Sequence, residues 1–150
     1  MKKLIGITLL AVAIFIASCG TPSGTASSNT KLSKTLTTLS QNNWQLFSMN
    51  GQKITVPDGG QIPTLTFDPQ SMTVSGSSSC NSFSGSFTAE KDALSFGNLA
   101  GTRMMCPDMK METAFLSTIA NAKNFSIYES KLVLNDASGK QLMSFDPLSK

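Results

Sequence analysis

Two cysteines, Cys80 and Cys106, are the residues best placed to do chemistry in the body of this chain. They bracket a stretch that opens Ser77-Ser78-Ser79-Cys80-Asn81-Ser82-Phe83-Ser84-Gly85 and closes Gly101-Thr102-Arg103-Met104-Met105-Cys106-Pro107. Three fates are open to such a pair: a structural disulfide, two free buried thiols, or a redox couple. In a small exported domain a cysteine pair is first read as a disulfide. Closing a loop of about 26 residues stabilises a fold by roughly 3–4 kcal/mol in the chain-entropy model. A redox couple usually has Cys-x-x-Cys spacing with its first thiol at a helix N-terminus. Here the spacing differs, although Cys106 does precede a helical pattern.

Other catalytic tools are scarce. The sequence has no histidine, which excludes His-based acid–base catalysis, His-containing triads and every His metal site. Its nine Asp and Glu are scattered singly, without calcium-loop spacing. The expectation is therefore a non-enzyme without metal or cofactor. Ser28-Asn29-Thr30-Lys31 has the Ser-x-x-Lys spacing of penicillin-recognising enzymes, but it stands in a low-complexity segment without partner motifs. The formal charge of +3 falls to about +1 without Lys2 and Lys3, and no basic cluster remains. Nucleic acid is not an expected partner.

The address is written in the first thirty residues. Lys2 and Lys3 precede an apolar run from Leu4 to Ile16. That run is shorter than the roughly 20 residues that cross a bilayer, so it reads as a secretion signal over residues 1–18. Ile16-Ala17-Ser18-Cys19 resembles the bacterial lipobox. The resemblance implies cleavage before Cys19, a thioether-linked diacylglyceryl on its sulfur and an acyl group, such as palmitate, on its amine. Several chains anchor firmly, since each buried methylene adds about 0.8 kcal/mol. Residues 19–30 follow as the lipidated cysteine and a small, polar, uncharged tether. By the sorting rule for such lipoproteins, Gly20 implies the outer membrane of a Gram-negative cell, facing the periplasm.

The elements that must position the cysteines follow from hydrophobic period. Residues 31–150 suit one compact domain. Leu32, Leu36 and Leu39 recur at i, i+4 and i+7, which predicts a short leading helix. Trp44-Gln45-Leu46-Phe47 reads as a strand ending at Asn50-Gly51, with Trp44 a core anchor. Thr64 to Phe67 and Met72 to Val74 alternate around the turn Asp68-Pro69-Gln70-Ser71. Asn81 to Phe87 alternates again, with Phe83 and Phe87 inward, and Leu94-Ser95-Phe96 adds a short strand. From Pro107 the period changes. Met111, Ala114, Phe115, Ile119 and Ala122 form a helical stripe, with Asp108 and Glu112 near its positive end and Lys123 at the other. Phe125–Tyr128, Lys131–Leu134 and Gln141–Phe145 return to period two. The fold class is α+β: an antiparallel, curled sheet wrapped around one amphipathic helix.

Cys80-Asn81-Ser82-Phe83-Ser84-Gly85, Leu99, Thr102-Arg103-Met104-Met105-Cys106 and Glu112-Phe115-Leu116 closely resemble the META domain of HslJ-type heat-shock lipoproteins. The likeness covers about residues 40–146. It implies an antiparallel sheet around a helix, similar to the cracked barrel of secretin pilot lipoproteins. It implies no catalytic residues. It does imply association with envelope stress and novobiocin resistance.

The positions that carry the resemblance are Cys80, Asn81, Phe83, Gly85, Thr102, Arg103, Met105 and Cys106, and their expected roles are structural. Asn81 bonds local backbone, Gly85 leaves room for the helix, Met105 fills a core gap, and Arg103 satisfies carbonyls or faces a partner. The functional expectation is an envelope lipoprotein, membrane-held through Cys19, that binds a protein segment or lipid in a groove between helix and sheet. The alternatives are a binder of a small hydrophobic ligand and a thiol–disulfide protein using Cys80 and Cys106.

Overall fold

The computed structural model describes residues 26–55, 61–106 and 109–148, with side chains from 32 onward except that of residue 33. Among the described residues the chain forms helices α1 (Ala26–Ser40) and α2 (Lys110–Ile119). The strands are β1 (Asn43–Met49), β2 (Gln52–Lys53), β3 (Thr64–Asp68), β4 (Thr73–Ser77), β5 (Ser82–Glu90), β6 (Ala93–Gly101), β7 (Asn124–Tyr128), β8 (Lys131–Asn135) and β9 (Gln141–Leu148). They form one antiparallel sheet in the order β2-β1-β3-β4-β5-β6-β7-β8-β9, and β1 also pairs with β9. That last pairing, from Asn43 opposite Leu148 to Met49 opposite Met143, closes the sheet into a ring.

The ring is uneven. β5 and β6 form a long hairpin, from Glu90 opposite Ala93 to Phe83 opposite Gly101. β6 and β7 meet only at Ala93 and Asn124, backed by Leu94 N–H to the Lys123 carbonyl at 3.0 Å and Phe125 N–H to the Asp92 carbonyl at 2.8 Å. β1 and β3 share two residue pairs, Trp44 with Leu65 and Gln45 with Thr64. The strand pattern predicts a curled sheet; here the curl closes into a ring with short seams.

Side chains from alternate positions fill the interior. Leu65 and Phe67 of β3, Val74 of β4, Phe83 and Phe87 of β5, and Leu132 and Leu134 of β8 are all buried. Alternation therefore reads the inner face correctly. On α2, Phe115 and Ile119 are fully buried, followed by Ala122 beyond the helix end. The Phe115 ring lies 5.7 Å from Phe83 and 6.5 Å from Phe145, edge-on to the latter. Such aromatic contacts add about 0.5–1.5 kcal/mol each beyond area burial. Trp44 is the expected anchor: it is buried, and its Nε1–H donates to the Leu39 carbonyl at 2.8 Å.

Four expectations need correcting. The leading helix expected from Leu32, Leu36 and Leu39 is present but longer: α1 begins at Ala26, inside the stretch read as tether, so the fold has two helices where the fold class named one. Its Ser and Thr are weak helix formers, but the Leu32–Leu36–Leu39 stripe docks it onto the sheet, where Leu39 is fully buried. The turn after β3 is longer than four residues. The Asp68 carboxylate accepts from Gln70 N–H at 2.9 Å and from the Ser71 hydroxyl at 2.7 Å, and Met72 then takes φ of 53°, so β4 starts at Thr73.

Strand β6 continues past Phe96 to Gly101. Gly97 and Asn98 together face Ser86 in a bulge, and the small residues beyond it carry no apolar alternation. Finally, α2 starts at Lys110 rather than at Pro107; Pro107 and Asp108 lie outside the described residues.

Candidate functional site

The two halves of the cysteine-bracketed stretch meet at the N-terminus of β5. Cys80 and Cys106 are joined in a disulfide with Cα atoms 6.3 Å apart, inside the usual range. The free-thiol alternative is thereby set aside. Just before it, Ser79 is buried with φ of 108°, a backbone region that non-glycine residues rarely occupy. Its carbonyl accepts from Gln61 N–H at 2.9 Å, and Ser78 binds the Asn81 carbonyl through both its N–H and its hydroxyl.

Asn81 is the centre of the junction. It shares inward parity with Phe83 and Phe87, and it is 2% exposed. Its Oδ1 accepts from Thr102 Oγ1–H and from Met104 N–H, both at 2.7 Å. Its Nδ2 donates to the Met104 carbonyl at 3.2 Å and to Glu112 Oε2 at 3.0 Å. The carboxamide thus pairs with both backbone groups of Met104, as a neighbouring strand's peptide would. The Asn81 backbone N–H also donates to Glu112 Oε2, at 3.1 Å. Thr102 completes the clasp: its N–H donates to the Ser82 carbonyl at 3.0 Å, and Ser82 N–H donates back to its hydroxyl at 3.2 Å.

Glu112 stands in the first turn of α2 and is 9% exposed. A carboxyl group there faces the helix's positive end and accepts from the Asn81 donors. Every buried side-chain nitrogen and oxygen among the described residues has a partner. The network is complete within the chain, and its chemistry is that of a strut: it ties the start of β5, the loop after β6 and the start of α2 together. Sequence reasoning gave Glu112 only a dipole role. The missed signal was position, since Glu112, Phe115 and Ile119 fall at i, i+3 and i+7 on one helical face.

The family comparison agrees with this geometry. The META domain model matches residues 37–147, spanning β1 to β9 and the whole Asn81 junction. The chain belongs to the META domain family. No curated protein is similar enough to count as a relative. Among solved structures, the META domain is similar to an NMR structure of a protein from Burkholderia xenovorans, at 28% identity and TM-score 0.61, covering 77% of this chain and 87% of that one. A second NMR structure matches at 27% identity and TM-score 0.58, covering 75% and 94%. A DUF4847 family protein from Bacteroides vulgatus, at 12% identity and TM-score 0.54 over 75% and 96%, shares the fold.

Within the META domain the signature positions divide. Asn81, Thr102, Cys80 and Cys106 are brought together, and Phe83 packs on Phe115. Gly85 makes room for β6 rather than for a helix: a Cβ there would lie 2.4 Å from the Asn98 carbonyl oxygen across the bulge. Met105 fills no core gap. It is fully exposed, because the loop's fastenings at Thr102, Met104 and Cys106 leave the residue between them pointing outward. Arg103 is exposed as well, and no carbonyl among the described residues accepts from it.

Phe115 and Ile119 commit the apolar face of α2 to the core, and the cavities beside α1 are not the groove expected between that helix and the sheet. A cavity of about 460 Å³ has Leu32, Met72, Ala89 and Leu94 on its walls, with Glu90 and Lys123 also lining it. A second, of about 380 Å³, is lined by Lys34, Thr35, Thr38, Lys91 and Phe125. The described residues contain no group of three or more metal-binding His, Cys, Asp or Glu side chains. No helix among them is long and apolar enough to cross a membrane.

Proposed function

We propose that this META protein is a non-catalytic, HslJ-type lipoprotein of the bacterial envelope, anchored through Cys19 to the outer membrane and facing the periplasm. Its domain binds a segment of another envelope protein or a lipid, and through that contact supports tolerance of heat or of a novobiocin-like antibiotic. The observation that carries the reading is the pair of cavities beside α1. Both are lined in part by α1, the described element nearest in sequence to Cys19. The Asn81–Glu112 network supports it from the other side, since its hydrogen-bonding capacity is spent on the chain itself.

The test is crosslinking in the native membrane. A photo-reactive side chain replaces Leu32 in the full-length lipidated protein, and the attached species is identified with and without stress. The reading expects one dominant protein or lipid adduct that disappears when the reactive group is moved to exposed Ser84, which lines neither cavity. Equal labelling at both positions under every condition would sink it. A small hydrophobic ligand is the second reading, favoured by the 460 Å³ volume, which lies within the roughly 300–1,000 Å³ of ligand pockets. Thermal-shift screening separates the two, because a bound ligand raises the midpoint by mass action.

A further inference from the structure

The loop from Thr102 to Cys106 has no regular secondary structure, yet it is held at every second residue. Thr102 is bound to Asn81 and Ser82, Met104 by its backbone to the Asn81 carboxamide, and Cys106 by the disulfide. None of these fastenings uses a methionine side chain. Met105 is fully exposed, Met104 is 58% exposed, and Met109 just beyond is 38% exposed. In contrast, Met143 is fully buried and Met49 is 9% exposed, while Met72 and Met111 are half-buried against the core. The stretch from 93 to 106 carries a single charge, Arg103. The fold therefore presents two adjacent thioethers on a pinned, exposed loop.

We propose that Met104 and Met105 are a reversible oxidation site. The oxidant class is a hydroperoxide. A lone pair on Sδ attacks one peroxide oxygen, the O–O bond breaks, and the departing hydroxide takes up the proton to leave as water. The sulfur becomes a sulfoxide, oxidised by two electrons, and the peroxide is reduced by two. Reversal needs two thiols, which become a disulfide while the sulfoxide oxygen leaves as water. The Cys80–Cys106 pair is already bonded and supplies neither thiol, so repair falls to a separate dithiol reductase. Oxidation turns a flexible apolar side chain into a polar one. In a core that change disrupts packing. At this loop it rewrites the surface from apolar to polar while the backbone clasp stays in place. The inference stands on the loop alone and needs no partner at the α1 cavities.

The experiment uses the full chain and graded hydrogen peroxide, followed by reduction, tryptic digestion and fragment mass spectrometry. The peptide released by cleavage after Arg103 and Lys110 contains Met104, Met105 and Met109. The expected result is oxidation at Met105 and then Met104, at least about tenfold faster than at Met49 and Met143. The thermal midpoint should hold within about a degree, and methionine sulfoxide reductase with a dithiol should restore the original masses. Comparable rates at the buried methionines, a midpoint falling in step with oxidation, or sulfoxides that resist the reductase would each overturn the proposal. The double variant M104L/M105L provides a second arm. It should keep the wild-type midpoint and lose the fast phase; a variant that fails to fold would show that the two side chains support the structure and would equally overturn it.

Discussion

The two helices carry similar apolar stripes and are used in opposite ways. α2 is built into the barrel: Phe115 contacts Phe83 and Phe145, Ile119 is fully buried, and Glu112 fastens the first turn to β5. Among the described side chains, α1 is held through its C-terminal half. Leu39 is buried and its carbonyl receives the Trp44 indole, and Thr35 Oγ1–H donates to the Lys91 carbonyl at 2.8 Å, but Leu32 stays 37% exposed beside an open cavity. One helix is a plug and the other a partly docked cover. A stripe of leucines on a sequence does not say which, because that depends on whether polar groups at the helix end find partners in the sheet.

The comparison can be broken by mutation. Phe115→Ala should cost the most, about 3–5 kcal/mol, because the void lies among close-packed rings; denaturant unfolding measures it, and a loss under 1 kcal/mol would remove the plug. Asn81→Ala should cost about 2–4 kcal/mol, since it strands both backbone groups of Met104 and leaves the Glu112 carboxyl only the backbone N–H of residue 81. If Glu112→Ala in the same background costs as much again, the two residues are not one unit, and a double-mutant cycle decides. Replacing both Cys80 and Cys106 by serine should cost roughly 3 kcal/mol, with the META fold retained by circular dichroism. Leu32→Ala should change stability by less than about 0.5 kcal/mol, and amide exchange should be faster in the first half of α1 than in α2. Protection of Leu32 equal to that of Phe115 would make α1 a second plug.

The smallest expected effect is a control with pH. Asp68 lies below the ordinary aspartate value because of its side-chain bond from Ser71 and then its backbone bond from Gln70. Asp136 is lowered first by the Ser138 hydroxyl. A group depressed in the folded state stabilises above its unfolded value, and that contribution is lost as pH falls through the folded one. Both turns should therefore weaken only below about pH 3.9. NMR titration checks this: a normal midpoint for Asp68 would mean that the turn is open in solution.

Much of the barrel was legible because period two marks an inner face, as at Leu65, Phe67, Phe83 and Phe87. The second half of β6 was not, since Gly97, Asn98, Ala100 and Gly101 hold their places by backbone pairing rather than by burial. The extent of α1 was hidden for a related reason: threonine and serine argue against helix locally, and docking overrides them. At the junction the sequence identified Asn81, Thr102, Glu112 and the cysteines by resemblance, but not that Asn81 and Glu112 bond each other. Glu112 is 31 positions from Asn81, and no local pattern announces a hydrogen bond of that reach. Met105 was misplaced because hydrophobicity says what a side chain prefers, while the clasp at its neighbours decides where it points.

The closure of the ring by β1 and β9 has a consequence in time. Asn43 waits for Leu148, and Trp44 for Pro147. A chain emerging from its N-terminal end can form the β5–β6 hairpin early, yet it cannot complete the barrel until β9 is free. Contacts of such long sequence separation slow folding. Whatever meets this chain during its synthesis therefore handles an open sheet, and the finished domain first exists once the whole of β9 is released.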